Sequence, residues 1–409
     1  MEQRQKQKKA IFYKHRPDYM LTLLVLSLVG IGLVLIYSTG WIAVLKRTSG
    51  TSDTNSFFIT QSVGMLLGIM GWYAASKIDY HFWQKHATPI FIATIVLMFL
   101  VLVPGLSISS GGASRWVKLA FFSFQPVEFF KIGAVIFMAA WLAKNKKNLS
   151  KPIEGLVPFL IIIFVIAFLA VLIQKDMGSA MVIISTMLAM YFVSGVQWWN
   201  ATIATLVLGG GAALLAILAP YRIARLTTFF NHSEDASGAG YHINQALIAI
   251  GSGGIFGRGL GKSLQAYGYL PEATNDSIFA IIGEEFGLVG TTILITAFAL
   301  LFWRGVRIAR TAPDNFGRLL ASGIIFWITF QALINISAML NLIPLTGITL
   351  PFISYGGTSI LALLTAVGIL QNISKYTYKE VYDEDPSSGG RNSRAHIAGT
   401  RRHRVTSRA

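Results

Sequence analysis

Residues 19–45 contain no Lys, Arg, Asp or Glu. Charge-free runs of about twenty residues recur along the chain, each long enough to cross a bilayer as a helix. In hydrocarbon every backbone N–H and C=O must find a partner within the protein, which leaves such a chain few folds. An all-α polytopic membrane protein is therefore expected. Composition agrees: 54% of the 409 residues are hydrophobic and 13% are charged, where a soluble domain has about 25% charged. With no Cys in the chain, disulfides, thiol nucleophiles and thiolate metal sites are excluded. The first apolar run is too long for a signal-peptide core, and no cleavage pattern follows the basic start, so it reads as a retained span.

The polar punctuation predicts ten spans. They fall within 19–45, 57–76, 86–104, 127–144 and 156–174, then two within 177–221 parted at Gly195-Val-Gln-Trp-Trp-Asn200, one within 277–303, and two within 319–374. Residues 105–126 are Gly- and Ser-rich, and 304–318 read as a basic loop. Between the last two spans, Pro344, Gly347, Pro351, Gly356 and Gly357 make a poor helix. Broken backbone at membrane depth implies burial in protein or a wet cavity. The domain plan is a basic N-tail (1–18), a ten-helix domain (19–374) and a basic C-tail (375–409) expected to be disordered. The formal net charge is +16, much of it in the two tails. The positive-inside bias puts both ends in the cytoplasm, and no nucleic-acid partner is expected. A large extracellular loop, 221–276, then joins spans seven and eight. Arg115, Asp176, Asp235, Arg258, Glu272 and Ser354 all fall on the outer side.

That loop gathers glycines, carboxylates and amides, including His242, Gln245 and Asp276. Asp235, in Asp-x-x-Gly-x-Gly, could be a general base if partial burial lifts its pKa, or a turn cap. Arg115, Lys118, Lys131, Arg258 and Lys262 could bind a pyrophosphate, although Lys118 and Lys262 could equally snorkel to headgroups. Glu128 and Lys131 lie at i, i+3 within a span, as a functional pair or a buried structural one. Asp176 suits a helix cap or a catalytic role. The runs Gly251-Ser-Gly-Gly254 and Gly257-Arg-Gly-Leu-Gly261 could offer N–H groups to phosphate, but no Walker lysine follows. The histidines have no metal-ligand spacing. So Gly-rich a loop is expected to be mobile until a partner docks.

Several motifs resemble a known family. Gly112-Ala-Ser-Arg115-Trp116, Gln125-Pro126-x-Glu128-x-x-Lys131, Asp235-x-x-Gly-x-Gly-Tyr-His242, Leu270-Pro-Glu-Ala-x-x-Asp276 and Pro351-Phe-Ile-Ser354-Tyr-Gly-Gly are similar to the SEDS family (shape, elongation, division and sporulation), over roughly 18–375. Gln174-x-Asp176, Pro271-Glu-Ala273 and Ile281-Ile-Gly-Glu-Glu285 resemble the division branch more than the elongation branch. Lys175, Thr274-Asn275 and Asn341 depart from the usual pattern. The resemblance implies a ten-helix peptidoglycan glycosyltransferase of the bacterial cytoplasmic membrane, at the division septum, polymerising lipid II with Asp235 as base. It implies Arg115, Lys131, Glu128, Gln125, Asp176, His242, Gln245, Arg258, Glu272, Asp276 and Ser354 as substrate-binding candidates. It also implies a class B penicillin-binding protein and other division proteins as partners. No cofactor is certain; a divalent cation, Mg or Mn, could help the pyrophosphate leave, but no ligand cluster identifies one. A lipid flippase would also suit ten spans and a broken helix, yet no repeat between the halves is evident. An elongation polymerase and an inactive scaffold are the other readings.

Overall fold

The computed structural model describes residues 8–47, 56–110, 113–119, 122–217, 229 and 238–382. Its helices are α1 (Tyr19–Arg47), α2 (Ser56–Lys77), the short α3 (His81–Lys85), α4 (Ala87–Phe99) and α5 (Pro126–Lys144). They continue with α6 (Val157–Phe168), α7 (Met177–Val193), α8 (Trp198–Ile217), α9 (Ala239–Ser252), α10 (Ile278–Thr311), α11 (Asn315–Met339) and α12 (Gly357–Ile373). Among the described residues six segments are long and apolar enough to cross a membrane: Tyr19–Gly40, Phe57–Lys77, Pro126–Lys144, Pro152–Ile173, Ile278–Thr311 and Asn315–Met339. Ala87–Leu102, Met177–Val193 and Gly357–Ile373 are shorter apolar helices. Each interval expected to hold a span holds a helix, and the turn at Gly195 (φ 88°) parts α7 from α8 as expected.

The helical bundle carries two small sheets that hydropathy did not suggest. Strand β1 (Lys8–Lys14) pairs antiparallel with β5 (Tyr376–Tyr382). The described parts of the two expected tails, 8–14 and 376–382, therefore pair as one ribbon. Strands β2 (Ser107–Ser110), β3 (Ala113–Leu119) and β4 (Phe122–Phe124) form an antiparallel sheet where a loop was expected. Val117 and Phe124 are buried there with Val101, so alternate residues face a small apolar core. The supposed basic loop at 304–318 is mostly helix as well. α10 runs on to Thr311, and Asp314 caps α11 by accepting from the Gly317 N–H at 2.7 Å. Arg and Lys are good helix formers and suit a helix C-terminus, so charge there did not mean loop.

Small residues set the closest packing. A Cβ on Gly64 of α2 would lie 2.6 Å from the Gly357 Cα of α12, and one on Gly71 would lie 2.4 Å from Thr365 Oγ1. On the other side of the same contact, a Cβ on Gly368 would lie 2.5 Å from the Trp72 carbonyl oxygen. Without a hydrophobic drive between helices in lipid, such close backbone approach supplies the association through dispersion. α11 and α5 lie innermost, with 72% and 67% of their apolar windows buried.

Contacts define two ends of the bundle. At the basic end, Arg304 Nη2 donates to Asp18 at 2.6 Å, and the Tyr80 N–H donates to Asn372 Oδ1 at 3.0 Å. Tyr80 also hydrogen-bonds Asp314 through its hydroxyl, and His81 Nε2 lies 3.2 Å from the same carboxylate. At the other end, Gln61 on α2 accepts from the Gly356 N–H at 2.9 Å, while the Tyr355 N–H donates to the Thr274 carbonyl at 2.9 Å.

Candidate functional site

The polar residues inside the bundle form one seam. Pro126 opens α5, where a missing N–H costs nothing. One turn on, Glu128 meets Lys131 at 2.8 Å, both almost wholly buried. Lys131 Nζ also donates to Gln331 Oε1 on α11 at 2.9 Å and lies 5.4 Å from the Trp327 ring centroid. The Trp327 indole N–H donates to the same Gln331 oxygen at 2.9 Å. Gln331 in turn donates to the Thr349 carbonyl at 3.1 Å, in the broken stretch before α12. Asn335, a turn further along α11, donates to both the Asp276 and Ile348 carbonyls at 2.7 Å. An isolated ammonium here would be prohibitively desolvated. With a carboxylate, an amide and an indole face around it, Lys131 remains tenable.

The seam continues to the neck of α7. Gln125 Nε2 donates to Asp176 at 3.4 Å, and its backbone N–H donates to Thr358 Oγ1 at 3.4 Å. Asp176 caps α7, accepting from the Ser179 N–H at 2.9 Å and the Ser179 hydroxyl at 2.8 Å. Its capping role is thus filled, although one oxygen also faces Gln125. Arg115, on β3, donates to the Lys175 carbonyl at 2.9 Å. Among the described residues, several buried polar atoms on these elements have no partner: Arg115 Nε, Glu128 Oε2, both amide atoms of Gln174, and Ser359 Oγ. Buried polar atoms left this way mark a place for water or ligand. Positive φ angles at Lys175 (50°), Asn341 (52°) and Phe352 (67°) flank the seam, and strain of this kind concentrates at working sites.

Two expected residues have structural duties. Ser354 Oγ accepts from the Leu350 N–H at 2.7 Å, tying the tight turn before α12. The Gly-rich run is committed to the protein's own backbone and not to phosphate. α10 breaks at Gly287 (φ 65°, ψ −159°). The Arg258 and Gly259 N–H groups donate to the Glu284 and Glu285 carbonyls at 3.0 and 2.9 Å. The Leu288 and Val289 N–H groups donate back to the Gly254 and Ile255 carbonyls at 2.9 and 3.1 Å. The loop so repairs both sides of the break. Glu284 accepts from the Leu264 and Gln265 N–H groups, and Glu285 from the Gly261 N–H at 3.0 Å. Arg258 Nη1 lies 3.8 Å from Glu284, so it belongs to this lock, apart from Arg115 and Lys131. Residues 254–265 of the loop expected to be mobile are thus bonded to α10, whereas most of 221–237 lies outside the described residues.

Beside the seam, Asp276 is buried, and burial, with Glu272 nearby, pushes its carboxyl up to about 7. Glu272 itself is exposed and accepts from Asn275. His242 Nε2 lies 2.6 Å from Ser277 Oγ, whose own proton goes to the Pro271 carbonyl. The imidazole is therefore the donor, and burial holds it neutral with a pKa lowered to about 4. Gln245 sits half-buried one turn along α9. Asp235 lies outside the described residues. Among the described residues no group of three or more His, Cys, Asp or Glu could hold a metal ion. Sequence reading missed Gln331, Trp327, Asn335 and Gln61. The signal was there: Trp327, Gln331 and Asn335 are spaced i, i+4, i+8 in a charge-free span, one polar stripe on an apolar helix.

The model of the cell cycle protein family of FtsW, RodA and SpoVE matches residues 19–379. The chain belongs to that family. Stage V sporulation protein E of Bacillus subtilis (strain 168) is 39% identical over 364 residues, 89% of this chain and 98% of that protein. A probable peptidoglycan glycosyltransferase FtsW of Geobacter sp. (strain M18) is 37% identical over 358 residues, covering 87% and 96%. The solved rod shape determining protein RodA of Thermus thermophilus superposes with a TM-score of 0.62 at 25% identity, covering 88% of this chain and 96% of that one. A chain from a structure on the coordination of polymerization and crosslinking by a peptidoglycan synthase complex has a TM-score of 0.70 at 24% identity, covering 88% and 97%. This member of the FtsW/RodA/SpoVE family is thus a multi-pass membrane protein, with FtsW-like relatives.

Proposed function

We propose that this FtsW/RodA/SpoVE-family chain is a peptidoglycan glycosyltransferase that polymerises lipid II on the outer face of the cytoplasmic membrane during cell division. The 37% identity to a relative named probable peptidoglycan glycosyltransferase FtsW carries this reading. The positive-inside bias turns the basic end of the bundle to the cytoplasm, so the end that holds Gln61, Thr274 and Gly356 faces outward. Asp235 takes the proton from the acceptor GlcNAc 4-hydroxyl as that oxygen attacks C1 of the donor MurNAc. The α-linked undecaprenyl pyrophosphate leaves, and inversion gives a β-1,4 link. Arg115 is the cation best suited to the leaving group, because its buried Nε has no partner among the described residues. Lys131, already held by Glu128 and Gln331, positions the wall of the site.

A class B penicillin-binding protein is the proposed partner, cross-linking the new strand at the septum. The bonds from 254–265 to α10 support a partner effect that acts through the rest of the loop, around Asp235. The test is polymerisation of purified lipid II by the reconstituted chain. Asp235→Asn should insert normally and lose about 10²–10⁴-fold in rate. Wild-type rates in that variant would rule Asp235 out as the base.

A further inference from the structure

The lock that joins residues 253–261 to α10 leaves one feature unused. Its outward side is apolar. Phe256 is 81% exposed, and Ile255, Leu260, Leu264, Tyr267 and Tyr269 are exposed with it. Ser263, Ala266 and Leu270 of the same stretch are buried against the protein. The exposed set is therefore one face of a fixed structure, as the backbone bonds to Glu284, Glu285, Leu288 and Val289 require. Leu288, exposed on α10 and bonded through its N–H to the Gly254 carbonyl, adjoins the patch.

Depth decides what covers it. Beyond its break at Gly287, α10 runs without interruption to Thr311, about 36 Å of helix at 1.5 Å per residue. That exceeds the hydrocarbon thickness of about 30 Å, so one end must emerge. Arg304, paired with Asp18 just before α1, marks the cytoplasmic boundary. From Arg304 to Leu288 is about 24 Å of helix. Leu288 then lies just below the outer boundary of the hydrocarbon, and the Gly254 carbonyl is bonded to its N–H. Irregular backbone is tolerated at that depth because α10 satisfies it. Arg258 and Lys262 are exposed on the same loop, within reach of lipid phosphates.

We propose that residues 254–269 form a membrane-seated loop whose apolar side chains enter the outer leaflet while Arg258 and Lys262 contact anionic headgroups. Aromatic and aliphatic side chains flanked by cations, at the height of the headgroups, are what that interface selects. The proposal rests on the orientation given under the proposed function and goes beyond the chemistry assigned there. Seating the loop fixes the height of the Glu284–Glu285 lock, and with it the outer end of α10, relative to a substrate whose tail lies in the same leaflet.

The Cys-free chain makes the test clean. Single variants Phe256→Cys, Leu264→Cys and Glu272→Cys are spin-labelled and reconstituted in phosphatidylethanolamine–phosphatidylglycerol vesicles. Relaxation of each nitroxide by oxygen and by a water-soluble nickel chelate is then measured. Oxygen should exceed nickel several-fold at 256 and 264, with the reverse at 272. Nickel access at 256 equal to that at 272 would place the loop in water and overturn the proposal. Exclusion of both reagents from 256 would mean that protein, such as a second copy, covers the face, and would overturn it too. Phe256 and Leu264 point away from the core, so the variants should fold, which monodispersity checks. The depth readout does not depend on glycosyl transfer, so failure of the enzymatic assignment and failure of this one are separable.

Discussion

Gly287→Ala tests whether the broken helix and its repairing loop are one unit. The native φ of 65° with ψ −159° is a conformation almost confined to Gly, and holding another residue there costs about 1–3 kcal/mol. The added Cβ would lie 2.4 Å from the Gly257 nitrogen and 2.6 Å from the Ile255 carbonyl oxygen. Those are backbone atoms, so no rotamer change relieves the clash. Residues 255–257 must move, which stretches the four backbone bonds across the break. At about 0.5–1.5 kcal/mol net for each bond, losing two of them with the strain gives roughly 2–6 kcal/mol. Arg258 and Lys262 lie in this loop, so trypsin reads its opening directly. In detergent the variant should be cut there at least about tenfold faster than the wild type, since proteolysis follows the open population. The control is Gly251→Ala, because a Cβ at Gly251 meets nothing within 4 Å. It lies within a helix, where Ala is favoured over Gly by about 0.5–1 kcal/mol, so cleavage should be unchanged or slower. Wild-type resistance in Gly287→Ala would refute the interlock.

Lys131→Met should impair polymerisation far more than Lys262→Met, since Lys131 is 1% exposed and leaves Glu128 and Gln331 without their cation; breaking a buried pair costs about 3–5 kcal/mol, and equal, mild losses in lipid II assays would show that the pair is dispensable. Asp276, raised by burial from 3.8 to about 7, favours folding below its unfolded pKa, and that contribution is lost as pH rises through about 7. Asp276→Asn should flatten the decline in apparent Tm between about pH 4 and 7, and an unchanged slope would count against it. His81 is raised to about 9, chiefly by its hydrogen bond to Asp314. Its contribution is present below pH 6.5 and lost as pH rises through about 9, so Asp314→Asn should reduce that loss in a pH series of melting curves.

The spans were legible because hydrocarbon enforces long charge-free runs, and the expected intervals around α1, α2, α5 and α11 were close to the helices found. Charge misled at the end of α10, where Arg304, Arg307 and Arg310 continue a helix instead of ending it. The sheet of β2, β3 and β4 was missed because its strands are short and rich in Ser and Phe, too brief for alternation to stand out. At the site, Glu128 and Lys131 were legible by spacing, whereas their partner Gln331 lies 200 residues away and a neutral amide gives no hydropathy signal. The glycine run was the instructive case. Gly253 and Gly257 had looked like phosphate-binding residues, but a Cβ there would strike the Gly283 and Glu285 carbonyls of α10. Close approach of two backbones and close approach of backbone to ligand demand the same residue.

The glycine face of α2 has a consequence for the order of synthesis. Its partner, α12, lies nearly 300 residues later in the chain. At roughly 5–20 residues per second, α2 waits on the order of 15–60 s after emerging before Gly357 exists to receive Gly64. During that interval Gly64, Gly68 and Gly71 present an open notch to lipid or to any neighbouring span. The β1–β5 ribbon likewise waits for the end of the chain, since β5 follows α12 directly. The chain's first and last described strands therefore cannot join until synthesis has passed α12. A chain truncated before α12 would leave both the notch and the N-terminal strand without their partners.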